Sequence, residues 1–453
     1  MIPFDDFRRR AQDILFASMP DHIDRLAWDA DHIRAEQRDR CRTLLALAKD
    51  RSPYHARRLR HLDPSRFELE DLARIPVMTK AEMMDHFDDV VTDRRLTRAV
   101  AESTIEATTT EPRPIDGDIL VITTGGSSGR RGLFAFDAAA FATFGATLMR
   151  PAMARFTAGG GPPPGFRIAM VAAASPIHAT GSAPRMLEGS RVPFVSVPVT
   201  LPLAEIVTRL EELDAPLLYG YPSVVARLAR ERQAGRLCIS PIGITTTSET
   251  LRPDLRHTIA EGFGVPVANV YGSSEGLVGV SPPDDPWLVF ADDCCIVELV
   301  DEHDRPVRPG TPSASVLITN LYNSVQPLIR YRIEDRFVAA PSVAVDGHLR
   351  ADVDGRAGDV FRFGDLDVHP HVITTRLAHN AAIVDYQVRQ LPRGIAVEVV
   401  APGGIDVNAV ASEIRRGLDV VGLQHAEVDV SRVATLPRDP RTGKLALFVP
   451  LAS

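Results

Sequence analysis

Five short segments of the chain carry residue types suited to phosphate and carboxylate chemistry. Ile122–Gly132 reads ITTGGSSGRRG behind an apolar stretch. Its glycines let backbone approach a phosphate chain, Ser127 and Ser128 offer hydroxyls, and Arg130 supplies charge. It is not a Walker A loop, which would need Lys-Ser/Thr after its last glycine. Asn269–Gly276 reads NVYGSSEG; there Tyr271 can stack on a base, Ser274 can bond a phosphate and the Glu275 carboxylate can hold Mg²⁺. Pro327–Asp335, PLIRYRIED, ends on a carboxylate able to accept two neighbouring hydroxyls. Gly355–Asp359 (GRAGD) and Leu436–Lys444 (LPRDPRTGK) complete the set. Taken singly, each has an ordinary reading as a surface loop, a turn with one acid, a surface Arg–Asp pair or a solvated lysine. Their order along one chain, from residue 122 to residue 444, is what sets them apart.

The elements that must position these residues are legible in the pattern. Residues 1–115 read as mainly helical, with apolar residues between 32 and 49 at helical spacing and a capping box at Thr79 and Glu82. From about residue 117 strands and helices alternate. The expected strands are Asp118–Ile122, Phe166–Ala174, Pro193–Val199, Pro216–Tyr219, Gly243–Thr247 and Val265–Tyr271. Leu203–Leu213 and Ser223–Ala234 read as helices between them, and Pro253 fits the first turn of a further helix. Apolar strands alternating with helices predict a mostly parallel sheet covered on both faces, an α/β fold. Residues 286–355 carry short alternating runs broken by Asp, Gly and Pro, which predict a small barrel-like portion. A boundary near 355–359 divides a large domain, 1–355, from a small α+β domain, 356–453. Thr157–Gly165, TAGGGPPPG, is a loop without catalytic groups.

Composition bounds the partners. The chain has 453 residues, too many for one compact core, and is 45% hydrophobic and 24% charged. A net charge of −8 without a lysine-rich tract argues against nucleic acid or an anionic membrane surface as a partner. No apolar run approaches the ~20 residues that span a bilayer, and MIPFDDFRRR lacks a signal-peptide core, so a cytoplasmic location is expected. Cys41, Cys238, Cys294 and Cys295 form no CxxC pair and read as reduced structural thiols.

The ordered set of a Gly/Ser loop, YGxxE, RYRxxD, GRxxD and a terminal TGK resembles the adenylate-forming superfamily of acyl-CoA ligases, luciferases and peptide-synthetase adenylation domains. PLIRY and the N-terminal IPVMTKAEM are similar to the phenylacetate–CoA ligase branch. The resemblance implies the adenylate-forming enzyme fold with a mobile C-terminal domain, ATP and Mg²⁺, CoA as co-substrate, and a homodimer. It also implies roles. Ser127, Ser128, Gly129 and Arg130 would hold the β- and γ-phosphates. Ser248 and Glu249 would lie along the adenine and Tyr271 would border it. Ser274 would contact the α-phosphate and Glu275 would bind Mg²⁺. Asp335 would hold the ribose, Arg356 would reach ribose or phosphate, and Lys444 would bridge the attacking carboxylate and the α-phosphate. The acid would sit around SPIHATG and YGYP, facing His178, Tyr219 and Tyr221.

The sequence also departs from that pattern. Arg131 stands where proline is usual, Glu334 replaces the glycine of RTGD, and Gly358 occupies the hinge aspartate position. HPHVI (His369–Ile373) lacks the usual acid. The expected reaction is adenylation of a small, aromatic carboxylic acid with release of pyrophosphate, then transfer to CoA. A carrier-protein thiol, or a nitrogen nucleophile such as an amine or nitrite, is the alternative acceptor. A degenerate nucleotide-binding or regulatory protein is the remaining alternative, opposed by Glu275, Asp335, Arg356 and Lys444 occurring together.

Overall fold

A computed structural model describes residues 4–123, 132–161, 166–172, 176–177, 179–199, 201–283, 285–341, 347–356, 361–364, 366–368, 371–378, 380, 382–438 and 445–451. The helical start is present. Helix Phe4–Asp24 buries Phe7, Ala11 and Leu15 and packs along helix Ala138–Ala158. Asp29 caps helix Ala30–Arg51 by accepting from the His32 N–H. The capping box forms as the spacing predicts: Thr79 Oγ1 accepts from Glu82 N at 3.2 Å, and a Glu82 oxygen accepts from Thr79 N at 3.4 Å. Just before it, Met78 N donates to Arg330 O and Arg332 N donates to Met78 O, both at 2.9 Å. The IPVMTK and PLIRY segments therefore lie side by side.

The strands run β1 (Ile119–Thr123), β2 (Leu133–Asp137), β3 (Ile168–Ala172), β4 (Phe194–Pro198), β5 (Leu217–Gly220), β6 (Gly243–Thr247), β7 (Val267–Gly272), β8 (Val278–Ser281) and β9 (Leu288–Phe290). β10 (Cys295–Val300), β11 (Ser315–Asn320), β12 (Tyr331–Ile333), β13 (Asp335–Ala339) and β14 (Arg350–Arg356) follow. A nine-stranded sheet in the order β13-β14-β9-β8-β7-β6-β5-β3-β4 dominates. Its β4-β3-β5-β6-β7 half is parallel, and the half from β7 to β13 is antiparallel. Crossover helices Leu203–Leu213, Pro222–Gln233 and Pro253–Phe263 join the parallel strands. The last two approach so closely that a Cβ on Gly262 would lie 2.6 Å from the Ala229 Cβ.

Two placements differ from the sequence reading. β1, expected in the parallel sheet, instead makes a separate antiparallel hairpin with β2, with Thr123 opposite Leu133. The stretch 286–355 is split among the described residues. β9, β13 and β14 extend the main sheet, while β10, β11 and β12 form a three-stranded antiparallel sheet. Short alternating strands show that a face is buried, not which sheet buries it.

After Phe361 come β15 (Phe361–Phe363), β16 (Leu366–Val368), β17 (Asp385–Leu391), β18 (Gly394–Val400), β19 (Glu427–Arg432) and β20 (Phe448–Val449). β19-β18-β17-β20 form a mixed sheet, with helix Val407–Val420 turning Ile414 and Leu418 into a core drawn only from residues 361–448. The four cysteines are free, and burial pushes the Cys41 thiol up to about 12. No helix among the described residues is long and apolar enough to cross a membrane.

Candidate active site

β7 delivers Tyr271 to the carboxyl edge of the parallel strands, where open α/β sheets bind ligands. Tyr271 Oη donates to Asp335 Oδ2 at 2.6 Å. Asp335, at the start of β13, is buried and faces Arg356 of β14 in register. The Tyr271 ring is fixed by aromatic neighbours. It meets Phe337 edge-on, with centroids 5.2 Å apart at 90°, and lies 5.9 Å from Phe290. A tyrosine so held presents a planar, amphipathic wall beside a carboxylate.

The turn from β7 into β8 holds Ser274 and Glu275. Ser273 N donates to Leu277 O at 2.9 Å and Gly276 N donates to Ser273 O at 3.0 Å. Gly276 has φ +99°, and a Cβ there would lie 2.3 Å from Asn320 Nδ2 and 2.4 Å from Tyr322 Oη. Only glycine fits. Asn320 Nδ2 donates to the Glu275 carbonyl at 3.0 Å and Tyr322 Oη donates to the Gly276 carbonyl at 2.7 Å, so the end of β11 clamps the turn from behind. Glu275 is buried and Ser274 half-buried. The Tyr331 phenol is raised well above its ordinary value by burial and then by the charges of Glu275 and Glu334. The Glu275 carboxylate therefore lies within electrostatic reach of the PLIRY strand.

β6 ends at Thr247, and Ser248 adopts φ +67°, uncommon for a residue with a side chain. The turn swings Glu249 away from the strand. Its carboxylate accepts from Ser223 N (3.2 Å), Ser223 Oγ (2.5 Å), Leu445 N (3.0 Å) and Arg438 Nη1 (3.4 Å). With four donors on it, this carboxylate is a structural hub. Tyr219 on β5 packs edge-on against Phe194, with centroids 6.3 Å apart. Its phenol is pushed up to about 12 by burial, opposed by a hydrogen bond with Thr247, and so stays neutral.

No protein-family model matches the chain. Among known proteins it is 23% identical over 385 residues to the phenylacetate-coenzyme A ligase of Thermus thermophilus, covering 79% of this chain and 78% of that one. Protein CapK of Staphylococcus aureus is 28% identical over 131 residues, so the chain spans 28% of CapK's length. A crystal structure of 2-hydroxyisobutyryl-CoA ligase in the postadenylation state, in complex with 2-HIB-AMP, matches with a TM-score of 0.70 at 19% identity, covering 94% of this chain and 90% of that one. The same ligase in the thioesterification state, with 2-HIB-AMP and CoA, gives 0.57 at 18% identity, over 94% and 91%.

The chain has the fold of the adenylate-forming ligases and is similar in sequence to phenylacetate-coenzyme A ligases.

In this protein the structure joins Tyr271 to Asp335 and sets Ser274 and Glu275 in the turn that follows β7. It separates the two YGYP tyrosines. Tyr221 is wholly buried in the core beneath the sheet, beside Val224 and Val225, so Tyr219 alone remains as a candidate to face the acid. Arg356 ends β14 opposite Asp335, which places its backbone at the site. Ser127, Ser128, Gly129, Arg130, His178, Gly358 and Lys444 lie outside the described residues. Their flanks still converge in part: Thr123 N, before the Gly/Ser loop, donates to Ile177 O at 2.8 Å, next to His178 in sequence.

The sequence reading missed the supports. Asn320 and Tyr322 hold the Glu275 turn. Gln326 braces β2, accepting from Ala135 N at 2.9 Å and donating to Leu133 O at 3.0 Å. The available signal was the polar run Asn320–Gln326 (NLYNSVQ) set between apolar strands, because buried amides occur where backbone groups need partners.

Proposed function

We propose that this protein adenylates a small, aromatic carboxylic acid with ATP, releases pyrophosphate and passes the acyl group to CoA. The observation that carries the reading is the Tyr271–Asp335 hydrogen bond at the carboxyl edge, next to the clamped Ser274–Glu275 turn. An aromatic wall, a ribose acceptor and a phosphate- and metal-facing turn are what a mononucleotide requires together.

In that half-reaction a carboxylate oxygen attacks the α-phosphorus, a P–O bond forms and the bond to pyrophosphate breaks. Asp335 would hold the ribose and Tyr271 would border the adenine while donating to Asp335. Ser274 would contact the α-phosphate, Arg356 would reach the ribose or phosphate, and Ser127, Ser128, Gly129 and Arg130 would hold the β- and γ-phosphates. Lys444 would bring the two anions together, stabilising charge that develops in the transition state. Glu275 fits a Mg²⁺ ligand: its carboxylate is a hard oxygen donor on a backbone pinned by Asn320, and the ion would supply charge neutralisation at the phosphates. Tyr219 and His178 would face the acid. The chain would divide at 355/356 into a large domain and a small one carrying Lys444.

Gly358, where the resembled family carries its hinge aspartate, favours a second reading of the acceptor alone. A carrier-protein thiol or a nitrogen nucleophile would then replace CoA. The test is pyrophosphate and AMP release from ATP with a panel of aromatic and aliphatic acids, followed by CoA, amines and nitrite in turn. Acid-dependent AMP formation supports the reading. Hydrolysis indifferent to every acid would overturn it.

A further inference from the structure

Specific contacts among the described residues tie the C-terminal unit to the large one. The Arg252 guanidinium lies 4.5 Å over the Tyr386 ring, and Arg230 Nη2 donates to Val384 O at 3.3 Å. A further tie is Glu249. Its side chain is 9% exposed and sits at the head of helix Pro222–Gln233, whose first turn has no side-chain cap of its own. There it accepts from Ser223 N and Oγ. The same carboxylate accepts from Arg438 Nη1 and Leu445 N, and Arg438 Nη2 donates to Ser223 Oγ at 3.0 Å. In sequence Arg438 and Leu445 flank residues 439–444, the segment that ends in Lys444.

We propose that Glu249 is a positioning residue: it latches Arg438 and Leu445, the two described flanks of the sequence that ends in Lys444, to Ser223 of the large unit. This inference rests on the adenylation reading, since that is the step Lys444 serves. A plain helix cap would need only the bonds to Ser223 N and Oγ. The bonds to Arg438 and Leu445 lie 189 and 196 residues away and do nothing for that helix. One carboxylate serving four donors from three segments fixes their mutual placement, and a misplacement of ~1 Å is enough to cost about 100-fold in a reaction that depends on alignment. The bonds of Glu249 go to Ser223, Arg438 and Leu445, so it acts through the flanks it holds.

The test uses the full chain with Glu249→Gln, Glu249→Ala, Arg438→Ala and the Glu249→Ala/Arg438→Ala pair. For acid-dependent pyrophosphate exchange, Glu249→Ala should lower kcat by about 30-fold or more while the ATP KM moves less than about threefold. Glu249→Gln, which keeps an acceptor for Leu445 N, should recover part of that loss. The double variant should be no worse than Glu249→Ala alone, because both changes break one latch. A second readout is independent of turnover: hydrogen exchange at the Leu445 amide should quicken in Glu249→Ala. A raised ATP KM with kcat unaltered would make Glu249 a nucleotide ligand instead. Fully additive losses, or an unaltered Leu445 amide, would also overturn the latch. If the parent protein shows no exchange with any acid, the functional reading fails; the Leu445 amide still tests the latch.

Discussion

Gly276→Ala probes the geometry of the site through a single methyl group. The new Cβ would lie 2.3 Å from Asn320 Nδ2 and 2.4 Å from Tyr322 Oη, on a residue whose φ is +99°. Alanine in left-handed backbone costs about 1–2 kcal/mol. Each clamp bond that breaks, Asn320 to the Glu275 carbonyl or Tyr322 to the Gly276 carbonyl, removes about 1 kcal/mol more. The turn relieves the clash by moving away from β11, carrying Ser274 and Glu275 with it. The expected outcome is a fold destabilised by about 2–4 kcal/mol in urea. On the folded protein, kcat for acid-dependent pyrophosphate exchange should fall by about 100-fold. Asn320→Ala loses a bond without overfilling the turn and should cost only about tenfold. A Gly276→Ala protein exchanging within twofold of the parent would refute the argument that this turn positions catalytic groups.

Asp335→Asn should raise the apparent KM for ATP by about tenfold and lower kcat less, since ribose contacts exist in ground and transition states alike; steady-state kinetics decides it, and the reverse pattern would shift the assignment. Burial, then neighbouring arginines, lowers His22 to about 4 and His55 to about 3. The unfolded chain protonates near 6.5, so the stability these two neutral rings contribute is complete above pH 6.5 and drains away toward pH 3–4, with a slope of up to ~1.4 kcal/mol per pH unit each. His348 opposes them: burial would lower it, but its hydrogen bond to Asp292 raises it overall. Urea midpoints between pH 6.5 and 4.5 should fall for the parent and flatten in His55→Gln; equal slopes would contradict the assignment. Arg150 donates to both Asp293 oxygens, at 2.9 and 2.7 Å, deep in the protein. Arg150→Ala should therefore cost about 3–5 kcal/mol, and Arg150→Met with Asp293→Leu much less.

The parallel half of the sheet was readable because its strands are apolar runs and its crossover helices are amphipathic. Gly243–Thr247 and Leu203–Leu213 have the bounds the pattern predicts. β1 was found but given the wrong partner, since an apolar pentamer pairs as well in a hairpin as in a parallel sheet. β2, LFAFD, went unread beside the glycine-rich loop. Tyr271 and Asp335 were marked out by motif order. Their mutual hydrogen bond was not, because 64 residues separate them. Tyr219 and Tyr221, two residues apart, would share a face on a continuous strand, but β5 ends at Gly220 and Tyr221 opens the next helix, where it enters the core. Glu249 shows the limit most clearly. Its sequence neighbours say nothing of Arg438 or Leu445, which only the folded chain brings to it.

The most direct test is exchange of labelled pyrophosphate into ATP by the protein, with and without each acid of the panel, beside Lys444→Ala. The predicted result is exchange that requires one class of carboxylic acid and vanishes in Lys444→Ala while ATP binding persists. Exchange that ignores every acid, or that survives in Lys444→Ala at the parent rate, would contradict it.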